Sequence, residues 1–361
     1  MKFALVTTNL RGGGAEKAML KFATLLAERG HETHLVLLEH LVEHALPANV
    51  RLSALTAPGQ TASKGVIGKR LLAWRLERLL HRLAAERAFD LVLSTLPFAD
   101  EICHLARLPR LWQRIANTLS AEIEGLACRH PRKAERRRQK YRRLYQQSRL
   151  IAVSGGVADD LQRLGISARR IERLYNPFDA EAIRHAAKEA SALPSAPYIV
   201  HVGRYAPQKR HDLLFAACRD LPPSHRLVLL CHDEPALRAA IADHGVADRV
   251  IVAGFQSNPY PWIAGAELLV LCSDHEGMPN VLVEALLLAT PVISTDCPSG
   301  PREVLQDGRC GRLVACNDAT ALAQAIADVL AGRNPAAAFD PTPFLPATII
   351  DRLEQLARES D

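Results

Sequence analysis

The chain has 361 residues, 48% hydrophobic and 23% charged, with 22 Pro and 20 Gly. That exceeds what one hydrophobic core usually fills, about 250–300 residues, so two packed domains are expected and fibrous or largely disordered classes are excluded. The net charge of +6 hides an asymmetry: residues 1–175 hold 30 Lys and Arg against 16 Asp and Glu, and residues 176–361 hold 15 against 23, so the halves face different partners.

KFALVTT at the N-terminus reads as a first strand rather than a signal peptide, because it runs into a glycine turn without a small-residue cleavage site. Gly12, Gly13 and Gly14 form that turn. A helix follows over KAMLKFATLLAERG, where Met19, Phe22, Ala23 and Leu26 recur at helical spacing and Gly30 is the stop. HETHLVLL reads as the second strand, a helical stretch runs from Gly68 to Arg87, and strands are expected at 90–95 and 149–154. Asn176-Pro177 punctuates the end of this half. Between the last two strands, Arg129 to Arg149 carries ten Lys or Arg and one acid, Glu135. On a helix, Arg132, Arg136, Lys140 and Arg143 make one basic stripe, with Tyr141, Leu144 and Tyr145 as an apolar flank. Three readings stay open for it: a solvated helix face, an anionic membrane surface to which each basic residue contributes ~1 kcal/mol, and nucleic acid, which no recognised motif supports.

After the Ala/Ser/Pro-rich stretch at 190–197 a second alternation begins. Strands are expected at 198–203, 226–231, 249–254, 267–273 and 291–295, and helices at 210–220, 234–244, 279–289 and 319–332. Two such series predict an α/β protein of two doubly wound Rossmann-like domains, 1–178 and 179–340, facing a cleft at the carboxyl ends of their sheets. PFLPATIIDRLEQLAR, within 341–361, has the period of a helix that packs back on the first domain. Apolar runs such as Ala264 to Cys272 fall short of the ~18–20 residues a membrane-crossing helix needs. The eight cysteines include no Cys-x-x-Cys pair and no zinc-ligand spacing, so reduced thiols in a cytoplasmic protein are expected.

The glycine triplet between strand and helix lets the backbone approach a ligand where the helix N-terminus favours negative charge, and a purely structural tight turn explains it equally; it has neither the dinucleotide-binding spacing nor that of a P-loop. The second half is more specific. In GRYAPQKR, Arg204 and Lys209 stand five residues apart on one loop, two cations that suit a diphosphate. In SDHEGMPNVLVEA, Pro279 fits the first turn of a helix, with Glu276 on the preceding loop and Glu284 in the second turn. Both carboxylates can line one cleft, for hydroxyls of a sugar and of a ribose. Backbone amides of Gly277, Met278 and Asn280 add donors that Pro279 lacks.

EGMPNVLVEA, with VGRYAPQK upstream, PVISTDCPSGPREVL downstream, YNP at the junction and GGGAEK near the N-terminus, resembles a family-four retaining glycosyltransferase of the GT-B fold, with matching motifs in order from residue 1 to about 330. The resemblance implies transfer of a sugar from a nucleotide diphosphate, with Glu276, Arg204 and Lys209 catalytic. Glu284, Gly277, Met278, Asn280, Gly13 and Gly14 would bind the donor. It implies a UDP-sugar donor, with GDP-mannose still open, and a lipid-linked or saccharide acceptor in polysaccharide, lipopolysaccharide or capsule synthesis. The enzyme would lie peripherally on the inner face of the cell membrane. No cofactor and no metal are implied, since no Asp-x-Asp triplet appears and the two cations can neutralise the leaving diphosphate. Where many members carry a histidine after the fourth strand of the first domain, this chain has STLPFADE, with Ser94, Thr95 and Asp100 as polar groups and His104 nearby. Asp100 is a candidate acceptor contact, with solvent exposure as the plainer expectation. Arg136, Arg137, Arg138 and Lys140 are candidate acceptor or membrane contacts, and nucleic acid is not expected. A GT-B sugar-nucleotide epimerase and a non-catalytic nucleotide-sugar or nucleic-acid binding protein are the alternatives.

Overall fold

All six residues of β1 (Lys2–Thr7) are buried, the pattern of a central strand covered on both faces of a parallel sheet. The computed structural model describes every residue except 12, 44–45, 220, 334–336 and 360–361. β1 leads into α1 (Gly14–Glu28), whose Ala18, Met19, Phe22, Ala23 and Leu26 form the buried face. α1 ends where Gly30 turns left-handed (φ 81°). The Gly30 and His31 amides donate to the Ala27 and Leu26 carbonyls, 3.0 Å each, which satisfies two otherwise unpaired acceptors.

The chain divides into two units, Met1–Pro177 with Pro343–Asp361, and Phe178–Thr342. In the first, β2 (Glu32–Leu37), β3 (Arg51–Ala54), α2 (Val66–Leu83), β4 (Leu91–Thr95), α3 (Pro97–Leu105), β5 (Leu111–Ile115), α4 (Leu119–Ala127), α5 (Pro131–Tyr145), β6 (Arg149–Ala152), α6 (Gly155–Arg163) and β7 (Arg170–Arg173) follow α1. They build a seven-stranded sheet of order β3-β2-β1-β4-β5-β6-β7, parallel throughout. In the second unit come α7 (Ala180–Ala186), β8 (Tyr198–Val202), α8 (His211–Cys218), β9 (Arg226–Leu230), α9 (Pro235–Asp243), β10 (Val250–Val252) and α10 (Tyr260–Ala264). β11 (Leu268–Leu271), α11 (Asn280–Leu287), β12 (Val292–Thr295), α12 (Pro301–Val304), β13 (Arg312–Val314) and α13 (Ala319–Leu330) complete it. Its six-stranded parallel sheet has the order β10-β9-β8-β11-β12-β13. Both orders are those of the doubly wound Rossmann-like fold, two of which make up the GT-B fold.

Elements that the sequence pattern does not announce include β3, β5, β7, β13, α4, α6, α7 and the short helices α10 and α12. β5 shows why: its sequence, LWQRI, places Gln113 and Arg114 mid-strand, and both are buried. Pro279 sits at the N-cap of α11, one residue before the helical turn in which it was expected.

One face of the first sheet packs Phe3, Leu5, Leu35 and Leu37 against α1 and against Ile349, Ile350 and Leu353 of α14 (Pro346–Arg358). Ion pairs rim that contact, Arg29 to Glu354 at 3.0 Å and Arg352 to Glu172 at 2.5 Å. Each buried Ile or Leu contributes ~1.5–3 kcal/mol and a surface pair at most about 1, so the apolar face holds α14 in place. The opposite sheet face, with Ala4, Val6 and Val36, packs on Leu72, Leu76 and Ile102 of α2 and α3. In the second unit Ile199, Leu227, Leu229 and Val270 pack on Leu214, Phe215, Leu322 and Ile326 of α8 and α13.

Candidate active site

In the second unit the winding reverses between β8 and β11, which are neighbours in the sheet. Folds of this kind bind ligands outside the carboxyl ends of strands at such a point. The loops leaving these strands are stitched together there. The Asp274 amide donates to the Gln208 carbonyl (2.9 Å), and Gln208 Nε2 donates to the His275 carbonyl (2.6 Å). Lys209 Nζ donates to Glu276 Oε1 at 2.6 Å, an ion pair whose side chains are 17% and 10% exposed. Arg210 follows in the left-handed region (φ 49°, ψ 49°) at the start of α8. Its guanidinium bridges Asp212, Asp274 (2.8 Å) and Asn317, which ties the loops after β8, β11 and β13 to one charge, and the Asp212 and Asp274 carboxylates raise its pKa further.

Behind Lys209 lie two buried imidazoles. His201 Nδ1 donates to the Val270 carbonyl at 2.9 Å, and its ring meets that of His211 edge-on, 4.7 Å between centroids. A Cβ on Gly203 would stand 3.4 Å from both His201 Nε2 and Lys209 Cε, so ring and lysine flank the same residue. Burial and the lysine's charge push His211 down to about 4; burial and His211 hold His201 well below its ordinary value. At neutral pH both rings are therefore uncharged, and the fixed positive charge of the cluster sits on Lys209.

The glutamate loop is braced from below. The Glu276 amide donates to the Pro298 carbonyl at 3.3 Å, and Gly300 (φ 93°) passes so close that an added Cβ would lie 2.5 Å from Pro279 Cδ and 3.1 Å from the Gly277 carbonyl. Gly300→Ala is therefore expected to cost about 1–3 kcal/mol and to displace the Glu276 loop, checked by urea unfolding together with nucleotide affinity. Gly277 and Met278 are buried, and Asn280, partly exposed, opens α11. Glu284 lies in the second turn, half-buried, and accepts from the Tyr260 hydroxyl; burial and that carboxylate raise the phenol's pKa. Arg204 shares the Lys209 loop and is exposed. The structure thus joins Lys209 to Glu276 and puts Arg204, Gly277, Met278, Asn280 and Glu284 on the same two loops and helix. Sequence reasoning missed Gln208, Arg210, Asp274 and Gly300; of these, Pro298-Ser299-Gly300-Pro301 alone carries a readable turn signal.

The remaining candidates lie in the first unit. Gly13 is the N-cap of α1 in an extended conformation and Gly14 its first residue; a Cβ on Gly13 would collide with the Glu16 carboxylate. Gly12 lies outside the described residues. Asp100 corrects both readings offered for it: at 1% exposed it reaches neither solvent nor acceptor. It accepts from Ser94 Oγ (2.5 Å) and Tyr145 Oη (2.9 Å), tying α5 to β4. Burial raises its pKa to about 7 against the pull of those bonds and of Arg114, itself lowered to about 10 by burial. Arg114 donates to Thr95 Oγ1 (3.3 Å) and to Asn176 of the YNP motif, so that motif serves the interior of this unit. On α5, Arg137 is held by Glu122 and Tyr141, and Lys140 by Glu101 at 2.7 Å. Arg138 stands 3.9 Å from Glu135, and Arg136 is exposed. The helix is anchored by buried Tyr141, Leu144 and Tyr145, and its basic stripe is partly neutralised by Glu101.

Residues 12–182 match the family model described as Glycosyltransferase Family 4, and residues 196–332 match Glycosyl transferases group 1. Among curated proteins, the chain is 26% identical over 337 residues to the N-acetylgalactosamine-N,N'-diacetylbacillosaminyl-diphospho-undecaprenol 4-alpha-N-acetylgalactosaminyltransferase of Campylobacter jejuni, covering 91% of this chain and 90% of that one. It is 31% identical to the lipopolysaccharide 1,6-galactosyltransferase of Salmonella typhimurium over 45% of this chain and 47% of that one. Among solved structures, Anabaena HepE in complex with UDP and glucose shares the fold with a TM-score of 0.76 at 19% identity, covering 98% of each chain.

Proposed function

Since the chain belongs to glycosyltransferase family four, the glycosyl transferases group 1, we propose that it transfers a sugar, with retention of configuration, from a UDP-sugar to a lipid-linked or saccharide acceptor in surface polysaccharide, lipopolysaccharide or capsule synthesis. The observation that carries this reading is the Lys209–Glu276 pair at the winding reversal of the second unit, beside uncharged His201 and His211. In it, Lys209 and Arg204 hold the diphosphate, Glu276 the transferred sugar and Glu284 the ribose, with Gly277, Met278 and Asn280 closing on the donor. The same reading assigns Gly13 and Gly14 a contact with the phosphates or the acceptor. The bond from the sugar's anomeric carbon to the β-phosphate oxygen breaks and its electron pair leaves with the diphosphate. The acceptor hydroxyl attacks from the same face and passes its proton to the departing phosphate oxygen. Fixed cations aimed at that oxygen stabilise charge as it develops, so the protein supplies no nucleophile. Because Arg204 and Lys209 do this neutralising, the reaction needs no metal.

The support from relatives is of two kinds. The HepE structure holds UDP and glucose, and the Campylobacter relative is named for an acceptor carried on undecaprenol diphosphate. Among the described residues no helix is long and apolar enough to cross a membrane. In this reading a lipid-linked acceptor is met at the surface of the inner leaflet, where basic α5 favours anionic lipid.

A ligand that binds only the folded state stabilises it by RT ln(1 + [L]/Kd), about 2.7 kcal/mol at one hundred times Kd. UDP or a UDP-sugar, without added divalent cation, is therefore expected to raise Tm by roughly 5–10 °C, and Glu284→Ala to remove the rise. A response to GDP alone would correct the donor base; silence toward every nucleotide would overturn the donor site.

A further inference from the structure

α2 has two apolar faces. Leu72, Ala73, Leu76 and Leu80 are buried against the sheet. Ile67, Leu71 and Trp74, spaced by four and three residues, recur on the opposite side of the helix, where they are 84%, 46% and 50% exposed. With Val66 (72%) they make up half of the large hydrophobic side chains that the described residues leave in solvent. Such residues scattered singly need no explanation, but a contiguous stripe on one helix does. Its flanks are basic: Arg70, Arg75, Arg78 and Arg82 are exposed beside it, with Glu77 the one acid of α2. The Arg78 guanidinium lies 4.8 Å from the Trp74 ring. Through α3, Glu101 joins this helix to the basic one, accepting from Lys69 of α2 at 2.8 Å and from Lys140 of α5 at 2.7 Å.

We infer that α2 is a membrane-insertion element: Val66, Ile67, Leu71 and Trp74 enter the headgroup and acyl boundary of an anionic bilayer while the arginines around them contact lipid phosphate. Charge complementarity selects this occupant. A stripe ringed by cations repels a second copy of itself, whereas an anionic leaflet neutralises the ring and takes up the apolar side chains, with tryptophan at the depth its ring prefers. α5 then adds long-range attraction and α2 the insertion. The inference rests on the membrane-peripheral part of the proposed function.

The chain's other tryptophans, Trp112 and Trp262, are 3% and 6% exposed, so Trp74 reports the surface. The full chain is mixed with phosphatidylcholine vesicles with and without phosphatidylglycerol, and with brominated lipid as an emission quencher. Pelleting with the anionic vesicles is expected, with quenching that Trp74→Phe abolishes while binding stays within about twofold. Ile67→Glu with Trp74→Glu is expected to weaken binding at least ~10-fold, with thermal unfolding unchanged because both positions are exposed. Pelleting without quenching would overturn insertion by α2 and leave electrostatic adsorption through α5. No pelleting would overturn membrane contact altogether. Self-association of the parent, relieved by the double substitution, would assign the stripe to a protein interface instead. Transfer to a water-soluble acceptor, expected at the parent's rate in the double variant, reads the proposed activity separately from each of these.

Discussion

Lys209→Ala is expected to slow sugar transfer on the order of 10²–10³-fold and to weaken binding of the nucleotide diphosphate. Lys209 is the partner of Glu276 and puts a positive charge beside His201 and His211, which burial keeps neutral. Removing a fixed charge aimed at a leaving group usually costs about that much, ~3–4 kcal/mol of transition-state stabilisation. The substitution also strips Glu276 of its ion pair, so part of any affinity loss reflects a carboxylate left 10% exposed without its cation. Single-turnover rates at saturating donor separate the two contributions. Loss of charge stabilisation lowers the rate itself, whereas displacement of Glu276 raises the donor concentration needed to reach it. A full rate in Lys209→Ala would remove the diphosphate from this loop.

The largest stability effect is expected at Asp100. Its carboxyl has a pKa of about 7 in the folded state, raised by burial, against the ordinary 3.8 in the unfolded chain. Between those values the folded protein keeps a proton that the unfolded chain has released, so stability declines as pH rises from about 4 to about 7 and is level above. The difference of roughly three pKa units corresponds to ~4 kcal/mol at about 1.4 kcal/mol per unit. Asp100→Asn, which keeps the shape, can accept at Oδ1 from one of the Ser94 and Tyr145 hydroxyls and donate from Nδ2 to the oxygen of the other, and is expected to be close to neutral near pH 4. Above pH 7 it should be more stable than the parent by up to that amount. Denaturant unfolding of parent and variant at pH 4.5, 6 and 8 measures the difference, and parallel curves would assign the proton to another group.

The strongest elements were legible because they are one-sided or doubly buried in a regular way. The Met19, Phe22, Ala23 and Leu26 spacing of α1 and the continuous apolar runs of β1 and β11 leave little choice of structure. β5 was not legible, since two buried polar residues interrupt its pattern, and what makes them tolerable is tertiary: the Asp100 carbonyl accepts from Gln113, and Asn176 from Arg114. Asp100 was misjudged for the same reason. A carboxylate on a loop-to-helix segment reads as exposed until its partners, Ser94 and Tyr145, are brought from 6 and 45 residues away. Within the candidate site the charged residues could be picked out, but their pairing could not. Lys209 and Glu276 are 67 residues apart, and the Gln208 and Asp274 contacts that align them involve backbone groups common to every sequence.

α14 belongs to the core of the unit that begins at Met1, while Phe178–Thr342 forms the other unit between those two segments. During synthesis, therefore, the order of completion is the reverse of the order of translation. The middle segment contains everything its own sheet requires and can close as soon as it leaves the ribosome. The opening segment must wait, with the part of its core that α1 does not cover left open, until Ile349, Ile350 and Leu353 have been made. A nascent chain of this design displays an apolar surface while residues 178–342 are being made, and that interval is when chaperones matter most to its yield.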